Sequence, residues 1–159
     1  MNDFSLEWLG NGSLASAIKL PIKKVSVPEM DHGMIFALTL WHVDGTAIKI
    51  YSKMHDLDDR EEVGVVSIES ITPPLSDKIH IELPDYFLSV VGMEKLSVKE
   101  QSGVEADSGV AIQFLGNHEL IVVSGRFPCS ISVSGIPNLS APFEPEWPIE
   151  KYSRSSLLG

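Results

Sequence analysis

Carboxylates crowd one stretch of the chain. From His55 to Glu62 it reads His-Asp-Leu-Asp-Asp-Arg-Glu-Glu, with Asp56, Asp58, Asp59, Glu61 and Glu62 around one cation, Arg60. Oxygen ligands at such density suit Ca²⁺ or Mg²⁺. A calcium loop needs the spacing D-x-[DN]-x-[DN]-G, and no glycine turns the chain here. The stretch therefore reads as a solvated loop or short helical turn, and as a face for a basic partner.

Histidines are the next candidates: His32, His42, His55, His80 and His118. None pairs with another at HxxxH or HExxH spacing, so no zinc site is expected. In a strand, His-x-Asp or His-x-Glu puts both side chains on one face. His42 with Asp44 and His80 with Glu82 fit that pattern, and they could meet across neighbouring strands. The same pattern is the ordinary look of a solvent-facing strand. Cys129 follows Phe127-Pro128 and has no histidine near it in sequence, so it reads as a buried, inert thiol. No serine lies in G-x-S-x-G, and neither a G-x-G-x-x-G nor a Walker-type loop occurs. These residues predict no catalytic group, no metal and no cofactor. Trp41 reads as core. Trp8 and Trp147 lie towards the ends of the sequence, where an aromatic seals an edge or anchors a partner. Trp147 thus joins the acidic residues as a candidate partner contact.

The elements that must hold these residues are mostly strands. Met34–Val43, Thr46–Lys53, Val63–Ile71 and Lys78–Leu83 carry strand patterns, and KIHIEL alternates strictly. Asp44-Gly45 between two such runs predicts a hairpin with a type I′ turn. Val110–Leu115, Glu119–Ser124 and Ser130–Val133 form the clearest pattern, reversed at Gly116-Asn117 and again at Gly125-Arg126-Phe127-Pro128. Leu14–Leu20 reads as a first strand and Lys23–Val27 as a second. Pro84–Gly92 is the best helix, opened by proline and stopped by glycine. Met93–Glu100 reads as a strand or as more helix. The expected fold is mainly β: antiparallel sheets, as a sandwich or partly open barrel, with one short helix near 84–91. Residues 1–135 form the β-rich domain. Residues 136–159, with prolines at 137, 142, 145 and 148, lie along its surface and end in a mobile tail.

With 159 residues and 43% hydrophobic content, the chain needs neither disulfide nor metal to hold a core. A net charge of −10 argues against nucleic acid as a partner, because phosphate binding needs clustered cations. No apolar run approaches the roughly 20 residues a membrane helix requires. Met1–Gly10 is acidic and lacks the cationic and apolar regions of a secretory signal, so a soluble, cytoplasmic protein is expected.

The run Gly109–Pro128 (G-V-A-I-Q-F-x-x-x-x-E-L-I-V-V-S-G-x-F-P), followed by Phe143-Glu144-Pro145-Glu146-Trp147-Pro148 and the region of Tyr152, resembles small bacterial β-rich proteins, some of which resemble polymorphic-toxin immunity proteins. The resemblance covers the last third of the chain and rests on structural residues. It implies kinship of fold and a protein that neutralises a cognate toxin, and it carries no site residues with it. The leading expectation is a non-catalytic binding protein whose acidic surface meets a basic toxin domain. Two alternatives stay open: a small-ligand-binding β protein or an enzyme using a His and carboxylate cluster, and a homo-oligomeric structural or adaptor protein, a homodimer for example, formed through an edge such as Lys78–Leu83.

Overall fold

The computed structural model describes residues 4–56, 62–72, 76–99 and 103–157. Its strands are, in order, β1 (Glu7–Leu9), β2 (Ile22–Val27), β3 (Leu38–His42), β4 (Ala47–Asp56), β5 (Glu62–Ile71), β6 (Ile79–Glu82), β7 (Val90–Lys99), β8 (Glu105–Phe114), β9 (His118–Ser124), β10 (Ile131–Ser134) and β11 (Ser153–Ser156). One α-helix, α1, spans Leu14–Ile18, and 3₁₀ turns lie at Asp85–Leu88 and Ile149–Lys151. The strands form two sheets, β1-β5-β4-β3-β2-β6 and β10-β9-β8-β7-β11. Among the described residues the strands pair antiparallel except β1 with β5, and the isolated bridge of Phe4 with Ala106 is parallel too. The result is a sandwich with no closed barrel.

Alternation decides which face each strand buries. Leu38 and Leu40 of β3, Ile48 and Ile50 of β4, Val66 and Ile68 of β5, Val110, Ile112 and Phe114 of β8, and Leu120 and Val122 of β9 meet in one core between the sheets. Phe87 caps it, its ring 4.6 Å from that of Phe114 at a tilt of 50°, an arrangement worth about 1 kcal/mol beyond area burial. On the outer face of the second sheet, Leu96, Val98, Ala111 and Val123 form a smaller cluster, covered by Phe143, Trp147 and Tyr152 from the proline-rich segment.

The turns follow residue chemistry. Phe114 pairs with His118, and in the three-residue connection between them Gly116 and Asn117 both adopt positive φ, the left-handed conformation that Gly and Asn tolerate best. The β3–β4 hairpin differs from its expected form. Only Gly45 has positive φ there, and the loop closes through His42 N–H to Thr46 C=O (2.8 Å) and Gly45 N–H to His42 C=O (3.1 Å). That is a three-residue turn ending in a left-handed glycine bulge.

Other differences have local causes. Leu14–Ile18 is helical: Ser13 accepts from Ser16 N–H as its N-cap, and Leu14 and Ile18 turn to the core at i, i+4 spacing. The helix near 84–91 shrinks to one 3₁₀ turn, because Val90 is already paired with Phe114. The strand read from Met34 begins at Leu38. The charged run of 54–62 is neither loop nor helix at its ends, for Met54–Asp56 extend β4 and Glu62 opens β5. Ser153–Ser156 of the tail pair with β7 as β11.

Two seams join the sheets. Phe4 bridges to Ala106 of β8, and three residues later β1 pairs with β5 of the other sheet. On the far side, Ile131 N–H donates to Ile35 C=O (2.8 Å). Near the first seam the sheets nearly touch. Ser52 and Ser124 share a hydrogen bond of 2.8 Å, and Ser108 Oγ donates to Gly64 C=O at 2.6 Å. A Cβ at Gly64 would stand 2.5 Å from Ser124 Oγ. Gly64→Val is therefore expected to cost about 2 kcal/mol through overpacking, read as a lower urea midpoint, while Gly45→Ala on the opposite hairpin tests strain alone.

Candidate functional site

The acidic segment is only partly placed. Asp56 and Glu62 face each other at the exposed ends of β4 and β5. Like charges opposed across a ladder repel, so this end is held by the rest of the hairpin. Asp58, Asp59 and Glu61 lie outside the described residues. Among the described residues no group of three or more His, Cys, Asp or Glu could hold a metal ion, and no helix is long and apolar enough to cross a membrane.

Trp147 packs half-buried against the outer face of the second sheet, with its indole N–H buried and unpartnered among the described residues. Burial beneath the same segment raises the Tyr152 hydroxyl above its ordinary range. Trp8 rests on the main core and donates to Gly12 C=O (3.0 Å).

His42 and His80 do not meet. They sit on opposite faces of the first sheet, with β2 between their strands. His80 is exposed, stacks obliquely on Trp41 and donates from Nε2 to Asp77 C=O (2.9 Å). Trp41 is not core: its alternation with Leu40 and His42 turns it outward, where Lys24 covers it at 4.2 Å and its N–H donates to Ser26 Oγ. Cys129 is also not buried. It takes positive φ at the β9–β10 reversal, and its thiol is exposed.

His42 is buried, at the end of the inner face of β3. Its Nδ1 lies 2.9 Å from Thr46 Oγ1, which lies 2.6 Å from Asp44 Oδ1. Burial holds the imidazole below its usual pKa of 6.5, with the Asp44 charge opposing. The unfolded chain takes up a proton as pH falls below 6.5, and the folded chain resists it. Stability contributed by neutral His42 is thus full above 6.5 and declines as pH falls towards the folded value, at no more than about 1.4 kcal/mol per pH unit. Urea midpoints should drop from pH 7 to 5.5, and His42→Gln should flatten that drop.

Among the described residues the two most exposed large apolar side chains, Leu115 and Val91, lie at one end of the second sheet, with exposed Leu88 beside them. Val91 is 60%, Leu115 64% and Leu88 40% exposed. The ladder slips between Val90 and Gly92, and this bulge turns Val91 outward. Leu115 N–H donates to Ser89 C=O (3.0 Å), which brings the β8–β9 turn beside the 3₁₀ turn carrying Leu88. The Tyr86 and His118 rings lock the two turns together, stacked at 3.6 Å and 12°. Beside Val91 lies a shallow groove of about 410 Å³ over Gln113, Phe114, Asn117 and His118, bounded by Glu119.

The groove floor is rigid. Gln113 Nε2 donates to Glu94 (3.0 Å) and Glu119 (2.7 Å), and Arg154 donates to both carboxylates from β11. The Arg154 hydrogen bond lowers the Glu119 carboxyl pKa, despite partial burial. Two carboxylates share one guanidinium here, and Asp85 lies one 3₁₀ turn before Leu88, on the same face. The surface is therefore apolar at its centre and acidic at its rim. Nothing in the sequence pattern marks Val91, because a bulge is invisible until pairing register is known. In comparisons with known proteins, no family model, no curated protein and no solved structure matched the chain.

Proposed function

We propose that this chain is a non-catalytic protein-binding module, and that its partner is a basic protein presenting an apolar tip. The observation carrying this reading is the exposed cluster of Leu88, Val91 and Leu115 on a locked scaffold with an acidic rim. An exposed apolar cluster rimmed by polar groups is the usual mark of an interaction surface. The net charge of −10 adds long-range steering towards a cationic partner. A toxin domain of the kind that immunity proteins neutralise has the required chemistry, and the resemblance at Gly109–Pro128 makes it the first partner to try. Asp56 and Glu62 stand at the other end of the sandwich, where Val63 packs against Ala106 at the start of β8, and add only to the net charge. Co-expression with a toxin encoded beside the gene tests the reading: rescue of growth, lost on Leu115→Asp, supports it, and rescue that survives the substitution moves the contact elsewhere.

A second reading, homodimerisation through β6, has its own support. Among the described residues β6 has a strand neighbour on one side only. Leu83 N–H donates to Lys23 C=O, and the register of β2 with β3 and β6 turns the main-chain groups of Ile79 and Ile81 to β2, so His80 and Glu82 direct theirs outward. Antiparallel self-pairing then sets His80 opposite His80 as a hydrogen-bonded pair, with Ile79 of one protomer opposite Ile81 of its partner. Lys78 falls opposite Glu82 twice, on the outer face. Sedimentation should show a dimer that Lys78→Glu dissociates and Lys78→Glu with Glu82→Lys restores. A monomer at all concentrations excludes it.

A further inference from the structure

The end of the sandwich beneath α1 holds a feature unrelated to either binding surface. A cleft of about 310 Å³ opens between α1 and the β3–β4 hairpin. Ala17, Leu20, Ala47 and Ile48 supply its apolar wall, and Asn11, Ser16, His42, Thr46 and Ser70 its polar one. His42 is 1% exposed, and its Nε2 is buried with no hydrogen-bond partner among the described residues.

Hydrogen-bond bookkeeping fixes the tautomer. Thr46 Oγ1 has one proton, and it goes to Asp44 Oδ1 at 2.6 Å, since a carboxylate cannot donate. The Thr46 oxygen must then accept from His42, so the imidazole proton lies on Nδ1. The Asp44 carboxylate is itself fixed by Thr46 N–H at 2.9 Å. Nε2 is left as a bare lone pair facing no donor. A buried acceptor without a partner destabilises the fold, and an incoming donor recovers that deficit.

We propose that this cleft binds a small neutral molecule carrying one hydroxyl or N–H donor on an apolar body, with His42 Nε2 as the acceptor and the Asp44–Thr46 pair holding the imidazole in the accepting tautomer. The apolar wall accounts for the body and the lone pair for the single donor.

Phenol and its methyl ether, anisole, separate donor recognition from apolar filling, being alike in shape around the ring. Long-range ¹H–¹⁵N spectra of the full chain at pH 7.5 report on His42 directly. The expected spectrum shows unprotonated Nε2 and protonated Nδ1. Phenol should shift the Nε2 resonance saturably, anisole should bind at least about tenfold more weakly, and His42→Phe should abolish the difference between the two. The wild-type titration is decisive even if that variant fails to fold. A proton on Nε2, equal binding of phenol and anisole, or an Nε2 resonance unmoved by phenol to about 10 mM, beyond the range of weak fragment binding, would each overturn the assignment.

Discussion

Replacing Asp107 by alanine should cost about 3 kcal/mol of folding free energy. Asp107 lies in β8 and is 1% exposed. Its Oδ2 accepts from Leu6 N–H at 2.8 Å, its Oδ1 from Ser97 Oγ at 2.7 Å, and Lys95 Nζ stands 3.6 Å away. The carboxylate thus ties the segment between Phe4 and β1 to β8, and that segment joins one sheet to the other. Alanine strands the Leu6 N–H and leaves Lys95 without its buried counter-charge. Asparagine keeps one acceptor oxygen and should recover about half of the loss. Urea melts of the two variants, with hydrogen exchange at Leu6, give the readout. A cost below about 1 kcal/mol for Asp107→Ala would mean the seam is held by backbone bonding alone.

The second large effect concerns binding. Val91→Asp and Leu115→Asp each place a carboxylate at the centre of the apolar cluster. Central contacts of an interface typically carry 2 kcal/mol or more, so each substitution should weaken partner binding by about 30-fold or more. Both side chains are already exposed, so stability should change by no more than about 0.5 kcal/mol. The contrast between intact folding and lost binding sets this surface apart from the Asp107 seam, where both would fall together.

Much of the scaffold is legible in the residues themselves. Strict alternation in Lys78–Leu83 and in β4 points Ile79, Ile81, Ile48 and Ile50 to the core, and Gly116-Asn117 makes the turn that its residue types favour. What escapes are features fixed by tertiary pairing. LASAI satisfies a strand pattern as well as a helical one until Ser13 caps it and Ile18 finds the core. Ser153–Ser156 has no apolar period at all, and only pairing with β7 makes it a strand. His42 looks like a surface residue by composition, but its place two residues after Leu40 on an inner face buries it. Cys129 looks buried beside Phe127 and Pro128, yet the left-handed turn swings it out. The exposed cluster escapes for a similar reason. Val91 would alternate inward or outward with its neighbours, and the bulge between Val90 and Gly92 decides which.

The decisive measurement is a paired affinity capture, using the wild-type chain and the Val91→Asp/Leu115→Asp double variant on extract of the source cells, with captured proteins quantified against bait. A basic protein retained at a stoichiometric level by the wild type and lost by the double variant, while both baits melt alike, is the predicted result. A partner retained equally by both baits, or none retained at stoichiometric level by the folded wild type, would contradict the assignment of this surface to partner binding.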